Sequence, residues 1–125
     1  MPPNPPSATA PSHPGLAARA LAVTAIDDFL TKSQPLDETL ERLMDTPAAR
    51  ELPDRDRGLV RAIAMAAIRR LGTIAKALEE RIERGLPNHS GQLEAILISG
   101  AAQILFLDVP DHAAVDLSVR LVQAN

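Results

Sequence analysis

Three histidines, Ser99 beside a glycine, the adjacent carboxylates Asp27-Asp28 and Glu79-Glu80, and a series of arginines are the residues of this 125-residue chain to weigh first for chemistry. His13, His89 and His112 never fall within a helical turn of one another, and no HExxH phrase occurs, so two imidazoles cannot grip a metal from one helix face. Each histidine reads as an exposed polar residue or a cap. Ser99-Gly100 lacks the flanking glycines of a nucleophile elbow. In Asp27-Asp28 and Glu79-Glu80 the side chains are one residue apart and diverge, so neither pair can act as acid and base on one substrate. With no cysteine, thiolate metal sites, disulfides and a cysteine nucleophile are excluded. Glycine-rich nucleotide loops are also absent, and nothing in the chain argues for a catalyst.

The arginines point elsewhere. Between Pro53 and Arg84 there are eight basic and five acidic residues, a net charge of +3, whereas Asp27 to Leu52 carries three against seven, a net −4. Arg57, Arg61, Arg69 and Arg70 form the sharpest candidate, a modest phosphate-facing patch; the plainer reading is a solvated helix face with local pairs such as Lys76 and Glu80. The whole chain is at −3, so a uniform basic coat is ruled out. Phe29 and Phe106 are the only aromatic residues, which removes the stacking platforms of most single-strand RNA modules.

The elements that must carry these residues read as helices. Six of the eleven prolines fall within residues 1–14, which read as a disordered, partly polyproline-II tail ahead of one domain over 15–125. Apolar residues make up 46%, enough for a core, and alternating strand patterns are absent. Helices are expected from about Leu16 to Leu30 and from Pro35 or Leu36 to Met44, then a loop over Thr46 to Pro53. A long helix from Asp54 should bend or break at Gly72 and stop at Gly85 and Pro87. Ser90 should cap the next helix, which shows the clearest period in the chain (Leu93, Ile96, Leu97, Gly100, Ala101, Ile104). Pro110 should open the last one. The fold class expected is an all-α bundle of five to seven helices. Apolar runs are too short to cross a membrane, and the proline-rich start is unlike a signal peptide, so a cytoplasmic location with no membrane partner is expected.

The order of these phrases resembles the NusB family. The segment Leu93 to Leu107, followed by Val109-Pro110-Asp111-His112-Ala113-Ala114-Val115-Asp116-Leu117, is similar to the family's penultimate helices. Asp116 and Leu117 stand where the family has an Asn-Glu pair. Asp56-Arg57-Gly58-Leu59-Val60 resembles the opening of its long central helix, and Leu16 to Phe29, with Arg19, resembles its first helix. The proline-rich leader, Gln34-Pro35-Leu36-Asp37-Glu38 and Pro110-Asp111-His112-Ala113-Ala114-Val115 are most similar to the NusB-like N-terminal domain of bacterial ribosomal RNA cytosine-C5 methyltransferases. The resemblance implies a NusB-like helical bundle and a non-catalytic, RNA-positioning role, with ribosomal RNA as partner. It also implies a separate C-terminal catalytic domain that binds S-adenosylmethionine, this chain holding no cofactor of its own. Free family members carry an arginine-rich start where this chain has only Arg19, so Arg19 joins Arg57, Arg61, Arg69 and Arg70 as an outlying RNA contact, and binding by the domain alone should be weak. Two other readings stay open: a free transcription antitermination factor that binds RNA with a ribosomal protein, and a helical protein-interaction domain without RNA contact.

A further helix expected from the family lies beyond Asn125, so the domain is expected to be truncated at its C-terminus. Leu93 to Leu107 is apolar all round, and Val115, Val119, Leu121 and Val122 add to that surface. An apolar groove on the last two helices is therefore expected. It would be covered by the missing helix or the catalytic domain, by self-association, or by residues such as Leu16 folding back, or be left open with fraying after Leu121.

Overall fold

Capping and proline chemistry decide where each helix begins and ends. In the computed structural model, which describes residues 13–82 and 92–124, the chain forms seven helices and no strand among the described residues. Gly15, with φ at +82°, turns the chain into α1 (Leu16–Lys32). A Cβ there would collide with the Arg19 guanidinium as well as strain the backbone. Ser33, also left-handed, ends the helix. Asp37 and Glu38 sit at the positive end of α2 (Leu36–Met44).

The expected loop after Met44 instead contains a single helical turn, α3 (Pro47–Arg50). The Thr46 hydroxyl accepts from the Ala49 amide at 3.4 Å and donates to the Leu43 carbonyl at 2.6 Å, and Pro47 occupies the first turn. Next come α4 (Asp54–Arg69) and α5 (Leu71–Arg81). The break falls at Arg70, two residues before the expected corner: Arg70 leaves helical geometry at φ −108°, ψ 20°, while Gly72 remains inside α5. The expected stop at Gly85 and Pro87, the Ser90 cap and the leader through residue 12 lie outside the described residues. Pro110 directly precedes α7 (Asp111–Ala124), its carbonyl accepting from the amides of Ala113 and Ala114, and α6 (Leu93–Phe106) comes before it.

Three of these helices make the core. α1 packs against α4 and α6, and α4 against α6. Their contact is lined by alanines: Ala18, Ala22 and Ala25 of α1, Ala64 and Ala67 of α4, and Ala95 and Ala102 of α6 are all fully buried. Small side chains allow helices to approach closely, and Ile26, Ile63 and Ile96 fill the space between them. α2 closes one side against α1 and α4, and α5 and α7 flank α6. At the α6–α7 contact, a Cβ on Gly100 would sit 2.9 Å from the Ser118 hydroxyl oxygen.

One polar thread crosses this core. Arg19 Nε donates to Gln103 Oε1 at 2.7 Å, joining α1 to α6. The Gln103 amide nitrogen donates onward to the Ser99 carbonyl and hydroxyl oxygens at 3.1 and 3.2 Å, and an Arg19 terminal nitrogen donates to the Gly15 carbonyl. All three side chains are buried, with Arg19 only 7% exposed. Desolvation lowers the Arg19 pKa, and the carboxylate of Asp56 opposes that shift.

The apolar surface expected on the last two helices is present. Ile104 and Leu105 of α6 and Val115, Val119 and Val122 of α7 are exposed. Leu16 opens α1 and packs on the core rather than lining that surface, and α7 continues to Ala124 without ending at Leu121.

Two outcomes test this packing. Ile63→Ala should cost about 2–5 kcal/mol in urea unfolding, because a fully buried isoleucine leaves a cavity between rigid neighbours. Gln103→Leu should cost about 1.5–3 kcal/mol by leaving the Arg19 Nε–H without its acceptor. The double change Arg19→Met with Gln103→Leu should recover part of that loss; a double variant less stable than Gln103→Leu alone would show that the thread is not coupled.

Candidate nucleic-acid interface

The five arginines of the sequence reading are sorted by the fold into different duties. Arg19 belongs to the buried thread between α1 and α6, so it is not a surface cation. The sequence signal for this was Gln103, the one amide side chain in a mostly apolar helix, which needs a partner when buried. Arg57 is also engaged. Its two terminal nitrogens donate to the carbonyls of Ala49, at 2.8 Å, and Met44, at 3.5 Å, so the guanidinium braces the ends of α2 and α3 from α4.

Arg61, one turn further along α4, is exposed and forms no ion pair among the described residues. It stands on the rim of a cleft of about 650 Å³ between α2 and α4. That cleft is not basic: Arg42, Arg57 and Arg61 face Glu38, Glu41 and Asp45. Arg42 is held by Asp28 at 2.9 Å and by Gln34 at 3.0 Å, and Asp45 is paired with Arg50. Asp28 also takes Lys32 at 3.1 Å. Its neighbour Asp27 is pushed above the ordinary carboxylate range by burial and by the Asp28 charge, with Lys32 opposing.

Arg69 and Arg70 lie at the far end of α4, about 12 Å from Arg61 along the helix axis at roughly 1.5 Å per residue. Both are exposed. The Arg70 guanidinium lies 5.2 Å from the centre of the Phe106 ring, and that cation–π contact joins the α4–α5 corner to the end of α6. Arg57, Arg61, Arg69 and Arg70 therefore do not form one patch. They divide into a pair at the α2 cleft, one of whose members is committed to backbone, and a pair at the α5 corner beside the exposed Phe106. Arg55, which does not stand out in the sequence, is 93% exposed and lies 4.0 Å from Asp56.

Catalytic and metal arrangements do not emerge beside these arginines. The Ser99 hydroxyl is buried and accepts from Gln103, which removes it from any substrate. No group of three histidine, aspartate or glutamate side chains is close enough to hold a metal ion among the described residues. No described helix is long and apolar enough to cross a membrane.

Comparison with known proteins follows the same lines. The family model described as NusB family matches residues 16–125. The ribosomal RNA small subunit methyltransferase B of Xanthomonas campestris pv. campestris is 41% identical over 70 residues, covering 56% of this chain and 16% of that protein. The protein of the same name from Xylella fastidiosa is 35% identical over 104 residues, 83% of this chain and 23% of the relative. That from Cronobacter sakazakii is 24% identical over 102 residues, again 23% of the relative. The chain thus spans at most about a quarter of the length of these curated relatives. No solved structure matches it. A family match that runs from the first residue of α1 through all seven helices, on an all-helical fold, places this chain in the NusB family.

Proposed function

We propose that this chain is the NusB-like, non-catalytic domain of a small-subunit ribosomal RNA methyltransferase, and that it helps to hold the RNA by its phosphates. The observation that carries this reading is the similarity to relatives of that name over more than four-fifths of the chain. The chemistry of the chain agrees with a supporting role. It has no cysteine to act as nucleophile, and its one serine in a helical core is hydrogen-bonded out of reach.

Methyl transfer and S-adenosylmethionine belong, on this reading, to a catalytic domain outside these residues. The residues here do not fit that cofactor: the hollow of about 440 Å³ beside α6 and α7 is lined almost wholly by aliphatic side chains. It lacks the polar groups that a ribose and a sulfonium would need.

The RNA-facing groups are those that folding leaves free. Arg61 and Arg69 are open to phosphates, and Arg70 with Phe106 presents a stacked guanidinium and ring on which an unpaired base can lie. Few such contacts on a chain of net charge −3 give weak binding with a shallow salt dependence. In titrations of a small-subunit ribosomal RNA fragment at low salt, Arg61→Ala and Arg69→Ala should each weaken binding and flatten the salt slope by roughly one unit. Arg57→Ala should instead lower the melting temperature, because it removes the brace on Met44 and Ala49. Equal affinity of the Arg61→Ala, Arg69→Ala double variant and the original chain would remove this face from RNA binding.

A further inference from the structure

The corner where α4 and α6 both end brings two kinds of group together. Arg70 is the residue at which α4 stops, and its guanidinium lies 5.2 Å from the centre of the ring of Phe106, the last residue of α6. A guanidinium is planar and has two faces. Phe106 backs it on one side, and Arg70 is exposed, so the other side is open.

The second kind of group accepts hydrogen bonds. α6 has no basic residue in its last turn. The carbonyls of Leu105 and Phe106 accept no backbone amide from the described residues. Four positions on from Leu105, the Val109 amide donates instead to the Gln103 carbonyl at 3.2 Å, and Pro110, four on from Phe106, has no amide hydrogen. Asp108, left-handed at φ +59°, adds an exposed carboxylate at the same end. A flat cation thus stands beside carbonyl and carboxylate acceptors.

We propose that this corner binds one unpaired nucleotide whose base carries an exocyclic amino group. The base stacks on the open side of Arg70, and its amino group donates to the end of α6. Phe106 is then a positioning residue, which holds the guanidinium in place for the base. This rests on the chain holding RNA, and it adds which nucleotide the corner selects. A base inside a duplex is stacked on both faces and has its amino group paired, so the corner selects a bulged, loop or end nucleotide. Stacking accepts every base, so the acceptors make the choice. Adenine, cytosine and guanine bring an amino donor, whereas uracil brings carbonyl oxygens to a site that already has them.

Anisotropy titrations of the 125-residue chain at low salt test this with four RNA duplexes of one sequence, which carry a single bulged adenosine, cytidine, uridine or abasic residue. The abasic bulge keeps the bend and the phosphate and lacks the base. The adenosine and cytidine bulges should bind at least about fivefold tighter than the abasic one, with uridine closer to abasic than to adenosine. Arg70→Lys keeps the charge and loses the plane, so it should bring all four within about twofold of one another and leave the abasic affinity unchanged. Phe106→Leu changes a side chain that is 37% exposed; it should leave the helical circular dichroism intact and narrow the ratio of adenosine to abasic. An adenosine bulge no tighter than the abasic one, uridine equal to adenosine, or a ratio untouched by Arg70→Lys or by Phe106→Leu would overturn the proposal. Those results leave the RNA reading standing where the Arg61→Ala, Arg69→Ala double variant still weakens all four duplexes alike. A chain that binds none of the four overturns both.

Discussion

Alanine side chains at the meeting of α1, α4 and α6 set how closely these helices pack, and every other element is placed with respect to that contact. With Ala18, Ala22, Ala25, Ala64, Ala67, Ala95 and Ala102 all fully buried, the helices have little side-chain volume holding them apart. Such a core gains from dense contact rather than from large single side chains. It also makes a buried polar group expensive unless it is fully matched, and the Arg19–Gln103–Ser99 thread meets that condition by spanning two of the three helices. A mismatched pairing of α1 with α6 would strand a guanidinium, so the thread favours one register of the core.

The same economy governs the other arginines. Guanidinium groups carry several donors in a fixed plane, which suits them to bracing backbone carbonyls and to stacking on rings as well as to binding phosphates. Arg57 and Arg70 take the first two roles here, at the α2–α3 ends and on Phe106. Arg42 is tied to Asp28 and Gln34. What is left for a nucleic acid is sparse and spread along the outer side of α4. The proposed role, a module that holds RNA by its phosphates, would rest on these few contacts.

Apolar surface, by contrast, is concentrated. Of the exposed large apolar residues among those described, all but Met65 lie on α6 or α7. α6 is covered by α1, α4, α5 and α7, yet its last turn and the outer side of α7 are left without a neighbour among the described residues. A patch of that kind is where helical domains meet other chains or other domains.

Much of this was written in the residues. The helical class, a range of five to seven helices and most of their limits followed from the steps of three and four between apolar positions and from proline and acidic residues at helix starts, because these effects act within a turn or two of the chain. The all-round apolar character of Leu93 to Leu107 and the valine stripe after it likewise announced a surface without a cover. The resemblance to the NusB family rested on the order of such local phrases. α3 was not legible, because four residues leave no period and its start depends on the Thr46 hydroxyl turning back onto Ala49. The corner at Arg70 was misplaced onto Gly72, since glycine marks where a helix can break, while the contact with Phe106, thirty-six residues away, accompanies the place where it does. Only the tertiary structure separated the arginines into buried, bracing and free, for a guanidinium has no local pattern that reveals its partner. Arg19 meets Gln103 across eighty-four residues, and which cation remains for solvent is settled when three helices close on one another, not by any stretch of sequence taken alone.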